Sequence, residues 1–132
     1  MKIMNKFLVF GGIIFACLNL TCCHHDPDWD RKFDIINKSD TALYFTLSFN
    51  YPDTSLNGFT APNQWQKILP HDGKREGISS LNEFPTVLLF IFDAQKVETT
   101  PWDSIIKHYT ILKRYKLTKG DLEKTNWTVS YP

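Results

Sequence analysis

Cysteine is absent from most of this chain. The three cysteines are Cys17, Cys22 and Cys23, and none occurs from His24 to Pro132. Small disulfide-stapled domains carry cysteines throughout their folded region, so that class of protein is excluded. A catalytic cysteine in the domain is excluded for the same reason. The region after Cys23 must therefore fold on its hydrophobic core alone.

Sequence motifs for catalysis and for nucleic-acid binding are also lacking. The chain has no phosphate loop, no GxSxG elbow, no HExxH and no dinucleotide fingerprint. Thirteen basic and fourteen acidic residues follow Cys23, and no basic stripe indicates nucleic acid or anionic lipid. His71 lies in a predicted turn and His108 near a predicted helix end, both with ordinary structural explanations. We therefore predict no catalytic residue, no cofactor and no nucleic-acid partner.

The N-terminal region has the pattern of a secretory signal. Lys2 and Lys6 precede Phe7–Leu20, a run of 14 residues without charge. A positive segment followed by a short apolar run is typical of signal peptides. A spanning helix needs about 20 mostly apolar residues, so this run is too short to be one. We predict that residues 1–22 are a signal peptide.

The end of the apolar run resembles a bacterial lipoprotein signal. Leu20-Thr21-Cys22-Cys23 places a leucine three residues before a cysteine, which makes Cys23 the predicted lipidated residue. Cys22 is the alternative, although Asn19 would then replace the expected leucine. Cys17 is a third possibility that would shorten the apolar run. A metal site is not expected, because consecutive cysteines and histidines cannot surround one tetrahedral ion.

Residues 23–31 are expected to form an acidic, lipid-anchored tether. Asp26, Asp28 and Asp30 alternate with Pro27 and Trp29, and proline disfavours helix for the residue before it. One interpretation is a linker that holds the domain away from the membrane. The other is a sorting signal, because the acidic stretch is similar to the surface-export signal of bacteroidete-type lipoproteins.

Residues 32–132 are predicted to form a single β-rich domain. Runs of aromatic and β-branched residues indicate strands; these are Phe33–Asn37, Thr41–Asn50, Gln64–Leu69, Thr86–Asp93, Tyr109–Leu117 and Trp127–Tyr131. The Thr86–Asp93 run is almost wholly apolar, which predicts a strand covered on both faces. In Thr41–Asn50, Thr46 and Ser48 are expected to face water. A further short strand is expected to begin at Val97.

Two short helices are predicted late in the chain. Thr100 is expected to cap the first, with Pro101 in its first position, and the helix would extend to about His108. The second is a turn beginning at Thr118. Many strands without a βαβ rhythm predict a mainly β fold, a small antiparallel β-sandwich with one or two short helices. A small α+β sheet is the alternative.

From Thr41 onward the chain resembles a family of small bacteroidete-type lipoproteins of unassigned activity. The resemblance is carried by five segments: Leu43–Thr54, Phe90–Ala94, Thr99–Ile105, Leu112–Thr118 and Leu122–Pro132. It implies export and lipidation, and it implies no particular chemistry.

The expected function is that of a lipid-anchored cell-envelope protein, located at the outer membrane on its periplasmic or surface face. We predict a non-enzymatic binding or accessory module with a protein or glycan partner. The candidate contact residues are Trp65, as an exposed platform, and Trp102 with Asp103 at the 99–103 corner. A small periplasmic enzyme of hydrolase type and a structural envelope subunit are the alternatives.

Overall fold

The computed structural model describes residues 32–78 and 84–132. The predicted signal peptide, the tether and both candidate lipidation residues, Cys22 and Cys23, lie outside the described residues. The strands are β1 (Lys32–Asn37), β2 (Leu43–Ser48), β3 (Lys67–Ile68), β4 (Gly73–Gly77), β5 (Thr86–Asp93), β6 (Lys113–Thr118) and β7 (Thr128–Tyr131). The helices are α1 (Ala94–Thr99), α2 (Trp102–His108) and α3 (Lys119–Lys124), with a 3-10 turn at Gln64–Gln66.

The described strands form two sheets, which confirms the mainly β prediction. One sheet has the order β4-β1-β7 and the other the order β3-β2-β5-β6. Every pairing is antiparallel except that of β1 with β7, in which Asp34 lies beside Thr128 and Asn37 beside Tyr131. The first and last described strands are therefore direct neighbours.

The principal core lies between the two sheets. Alternate residues of β5, namely Val87, Leu89 and Ile91, face the three-stranded sheet and are fully buried. They belong to the same apolar cluster as Phe33 of β1 and Val129 of β7. Burying one such aliphatic or aromatic side chain stabilises the fold by roughly 1.5–3 kcal/mol. The face-to-face packing of the sheets is thus built on the alternation of side chains along each strand.

A second apolar cluster covers the opposite face of the four-stranded sheet. Leu88, Phe90 and Phe92 of β5 point into it and are buried, which confirms that this strand is covered on both faces. The cover consists of residues from α1, α2 and the loop after β2, with Leu56 and Ile105 fully buried. The domain therefore has three layers: sheet, sheet, and helices with a loop.

The expectation that one side of β2 faces water was wrong. Thr46 and Ser48 are buried, and so is Tyr44 on the same side of the strand. The loop after β2 and the helices α1 and α2 cover this face, and alternation of polar and apolar residues within the strand carries no information about them. Leu47, on the other face, is the more exposed residue.

Several local predictions also differ from the structure. Val97 lies in α1, which begins after an Asp93 cap whose side chain accepts a hydrogen bond from the Lys96 amide at 2.9 Å. The 3-10 turn replaces the first half of the strand expected at Gln64–Leu69. Strand β4 was not predicted, because its sequence GKREG is polar and follows a turn signal. Thr100 does not cap α2; its N-cap position is Pro101, which makes no side-chain cap.

Among the helices in residues 32–78 and 84–132, none has the length and apolarity to cross a bilayer.

Candidate functional site

A cleft of about 290 Å³, lined by both polar and apolar atoms, opens where α1 meets the edge of the four-stranded sheet. Its walls come from three places: the start of β2, strand β3, and the β5–α1 junction. The lining residues are Thr41, Ala42, Lys67, Asp93, Ala94, Gln95 and Glu98. Concave sites with a few convergent polar groups are the usual places for ligand binding, so this cleft is the first candidate.

Strand register brings the charged side chains of the cleft together. Tyr44 pairs with Lys67 of β3 on one side and with Phe92 of β5 on the other. One residue beyond Phe92, Asp93 ends β5 and caps α1, and the Ala94 amide donates to the Ala42 carbonyl at 3.1 Å. This junction turns α1 back along the sheet, and Glu98 in its last turn reaches Lys67.

Four side chains form one hydrogen-bonded cluster at the cleft. The Lys67 ammonium donates to Glu98 Oε1 at 2.6 Å, and the buried Tyr44 hydroxyl donates to the same oxygen at 3.1 Å. Gln64 Nε2 in turn donates to the Tyr44 hydroxyl at 3.1 Å. Lys67 Nζ also lies 5.6 Å from the centre of the Tyr44 ring, within range of a cation–π contact. The buried hydroxyl is therefore satisfied as donor and as acceptor.

The ionisation of the cluster follows from these contacts. The hydrogen bond from Lys67, and then that from Tyr44, lower the pKa of Glu98. The same bond to Glu98 raises the pKa of Lys67. Burial, and then the hydrogen bond to Glu98, raise the pKa of Tyr44. At neutral pH the cluster is a carboxylate, an ammonium and a neutral phenol.

This arrangement is better suited to binding than to proton transfer. A general acid needs a carboxyl whose pKa is raised toward neutrality, and a nucleophilic lysine needs a lowered pKa. The pKa of Glu98 is lowered and the pKa of Lys67 is raised, which is the reverse of what these two catalytic roles need. Both bonds to Glu98 end on Oε1, and an ammonium has three N–H donors, so the pair can still bind a polar ligand.

Neither of the two described histidines, His71 and His108, lines the cleft. His71 is exposed in the turn before β4, where its Nε2 lies 2.8 Å from Asp40 Oδ1. His108 lies in the last turn of α2, as the sequence predicted. Within residues 32–78 and 84–132 no three His, Cys, Asp or Glu side chains are grouped so as to hold a metal ion.

Trp65 is the most exposed large apolar side chain of the described residues, with 81% of its surface accessible. It occupies the middle of the 3-10 turn, between Gln64 and Gln66. Asn63 Oδ1 accepts from the Trp65 amide at 2.9 Å, and Gln66 Oε1 accepts from the Asn63 amide at 3.0 Å. This capping box fixes the backbone beneath the indole. The turn thus holds an aromatic side chain in solvent next to Gln64, a member of the cleft cluster.

Trp102 and Asp103 have different surroundings from Trp65. The Trp102 indole is half-buried; its Nε1 donates to the Phe59 carbonyl at 2.8 Å, and its ring meets that of Phe92 edge-on at 5.4 Å. Trp102 thus holds the loop after β2 against the helical layer. Asp103 is exposed in the first turn of α2. The contacts of the three predicted residues do not combine them into one site.

The members of the cleft cluster were not predicted from the sequence. Lys67 and Glu98 are 31 residues apart and lie on elements that sequence patterns misassigned or left uncertain. The one local signal was the polar Gln-Trp-Gln segment before β3, which is unusual for a buried strand. No protein-family model, curated protein or solved structure matches the chain. Function therefore has to be inferred from the chain's own sequence and surface.

Proposed function

We propose that the chain is a lipid-anchored protein of the bacterial cell envelope whose β-rich domain binds a glycan at the Trp65 turn and the adjoining cleft. Lipidation at Cys23, or at Cys22, would attach it to the outer membrane on the periplasmic or surface face. It acts as a binding or accessory module rather than as an enzyme.

The anchoring part of the proposal is supported by the sequence. Two lysines, an uncharged run of 14 residues and Leu20-Thr21-Cys22-Cys23 stand in the order of a lipoprotein signal. A single acyl chain gives marginal membrane binding, so stable attachment needs more than one chain, as in the lipoproteins that this chain resembles. The acidic residues after Cys23 favour export to the surface face.

The exposed indole of Trp65 is the observation that carries the binding part. The indole offers a large apolar surface, and because the capping box fixes its backbone in advance, little conformational freedom is lost when a partner covers it. Sugar rings combine an apolar face with hydroxyl groups. The indole provides a surface for the apolar face of the sugar. Gln64, Lys67 and Glu98 provide hydrogen-bonding groups for its hydroxyl groups.

The enzymatic alternative has less support. Of the three charged side chains that line the cleft, Lys67 and Glu98 pair with each other and Asp93 caps α1. The pKa values of Lys67 and Glu98 are displaced away from catalytic use. The structural-subunit alternative would need an exposed sheet edge that can accept a strand from a neighbouring protein.

The binding proposal is tested by screening the full-length protein, purified in detergent, against an array of bacterial and host glycans. Trp65→Ala is expected to weaken binding to any glycan found about tenfold or more, because losing a hot-spot aromatic anchor costs about 2 kcal/mol or more. Leu69→Ala is the matched control, since Leu69 is also exposed, at 55%. Equal affinity of Trp65→Ala and the unmodified protein would exclude Trp65 as the contact.

The anchoring proposal is tested separately by metabolic labelling with a clickable fatty acid. Cys23→Ser is expected to abolish the label while Cys22→Ser retains it; the reverse result would assign Cys22. Label in both variants would rule out both assignments. Protease treatment of intact cells, with a periplasmic protein as integrity control, then distinguishes the two faces of the membrane.

A further inference from the structure

Strand β6 differs from the other exposed sheet edges of the described residues. It is the last strand of the four-stranded sheet and pairs there only with β5. With six residues it is longer than the edge strands β3, β4 and β7. Its charged residues are all basic: Lys113, Arg114 and Lys116 are exposed, and the strand has no acidic residue. In β4, by contrast, Glu76 is present and Arg75 is bound by Asp34.

Tyrosines, rather than carboxylates, hold two of these cations. Arg114 Nη1 donates to the Tyr109 hydroxyl at 2.9 Å, and that hydroxyl donates to the Thr54 carbonyl at 2.9 Å. Lys116 Nζ donates to the Tyr51 hydroxyl at 3.0 Å and lies 4.4 Å from the centre of the same ring. Within residues 32–78 and 84–132 neither cation forms an ion pair. Their positions are fixed while their charge remains available.

The tyrosines themselves are partly open to solvent. Tyr51 is 42% exposed and Tyr109 is 39% exposed, and each has a cation beside it. Tyrosine and arginine are enriched in protein–protein contacts. Among the described residues, the carboxylate of Asp121 interacts electrostatically with Lys116, but it already accepts a hydrogen bond from the Thr118 amide at the cap of α3.

The spacing of the cations matches that of an extended peptide. Arg114 and Lys116 are two residues apart in one strand, so they lie on the same face about 6.6 Å apart. Alternate side chains of an added strand would have the same face and the same spacing, and opposite charges across two strands attract.

We propose that β6 is a docking edge for an extended, acidic segment of a partner protein, which pairs with the strand and places alternate carboxylates beside Arg114 and Lys116. Strand addition of this kind takes affinity from backbone hydrogen bonds and specificity from side chains. A second copy of β6 would bring like charges together, so the same residues oppose self-pairing. This surface is independent of the proposed glycan site.

The test uses the full-length protein in detergent and two synthetic peptides of identical composition. One alternates glutamate with threonine, and the other has its glutamates in one block. By fluorescence anisotropy at low salt, the alternating peptide is expected to bind at least about twofold more tightly, since two exposed ion pairs are at stake. Arg114→Gln with Lys116→Gln is expected to remove this preference. The control is Lys38→Gln with Lys96→Gln, which makes the same change in net charge at exposed sites elsewhere.

A second comparison separates strand addition from simple charge attraction. N-methylation of every amide of the alternating peptide removes the backbone donors of both edges and keeps all charges. Loss of binding supports pairing at β6. Unchanged binding would overturn the proposal. The proposal would also be overturned if a polygalacturonate chain bound more tightly than the peptide, because the surface would then be assigned to anionic glycans.

Discussion

Replacing Asn37 by alanine is expected to lower the free energy of unfolding by about 2–4 kcal/mol. Asn37 ends β1 and has no exposed surface. Its Nδ2 donates to the Thr41 carbonyl at 2.7 Å and to the Leu69 carbonyl at 3.1 Å, while its Oδ1 accepts from the Ser39 amide at 3.0 Å. One amide group thus joins the β1–β2 turn to the segment after β3, and so connects the two sheets.

The magnitude follows from the groups that alanine would leave behind. Each buried polar group without a partner costs about 1–3 kcal/mol. The substitution removes the partner of the Leu69 carbonyl and of the Ser39 amide, whereas the Thr41 carbonyl can still accept from Ser39 Oγ at 3.1 Å. Thr41 and Leu69 are exposed residues, so water reaches part of the vacated space and the sum lies below its upper limit. For a domain of ordinary stability, about 5–15 kcal/mol, this is a large fraction.

Asn37→Asp provides an independent check on the same geometry. It would put an acceptor oxygen against the two carbonyls and bury a charge, both of which disfavour the ionised form in the folded state. The folded-state pKa of the introduced aspartate would then be raised. Its destabilisation would be small in acid and would grow as the pH rises above the unfolded value, about 3.9.

Urea denaturation followed by near-ultraviolet circular dichroism measures these effects. Asn57→Ala, at an exposed loop position, is the matched control and is expected to change stability by less than about 0.5 kcal/mol. The interpretation would be refuted by an Asn37→Ala protein as stable as that control. If the destabilisation caused by Asn37→Asp did not depend on pH, the orientation in which Asn37 Nδ2 faces the two carbonyls would be refuted.

Three further predictions concern the backbone, an ion pair and a helix cap. Gly58→Ala should cost about 1 kcal/mol in thermal denaturation, because Gly58 has φ +82, whereas Gly77→Ala, where no atom lies within 4 Å of the new Cβ, should be neutral or slightly stabilising. The Arg75 guanidinium lowers the pKa of Asp34, so this pair stabilises the fold above about pH 3.9 and the effect is lost as the pH falls through the lower folded value. In Asp34→Asn, the free energy of unfolding should therefore decrease less steeply as the pH is lowered. An unchanged pH dependence would contradict a stabilising Asp34–Arg75 pair. Thr118→Ala removes the acceptor for the Asp121 amide and should destabilise the domain by about 1 kcal/mol in urea; no change would mean that water replaces the cap.

Strands with strong internal patterns could be predicted from the sequence. Continuous apolarity from Thr86 to Asp93 identified β5 and its burial on both faces, because that signal is contained within the strand. The turn signal after Asn37 likewise predicted where β1 ends. The prediction of a mainly β fold depended on these local patterns and is confirmed.

Features that depend on distant residues could not be predicted in this way. Strand β4 is polar, and its identity as a strand comes from pairing with β1, where Ile35 lies beside Lys74. The burial of Thr46 results from a loop and helices that follow it in the chain. The cleft could not be predicted either, because Lys67 and Glu98 meet only once α1 has turned back beside the sheet.

The parallel pairing of β1 with β7 bears on the order of events during biosynthesis. Asp34 needs Thr128 as its neighbour, so the three-stranded sheet cannot be completed until the segment Thr128–Tyr131 has been made. Contacts between sequence positions so far apart form slowly compared with local ones. For a chain that we propose to be exported, this delay is useful: β1 can pair with β4 early but lacks β7, so the three-stranded sheet stays incomplete until Thr128–Tyr131 is available.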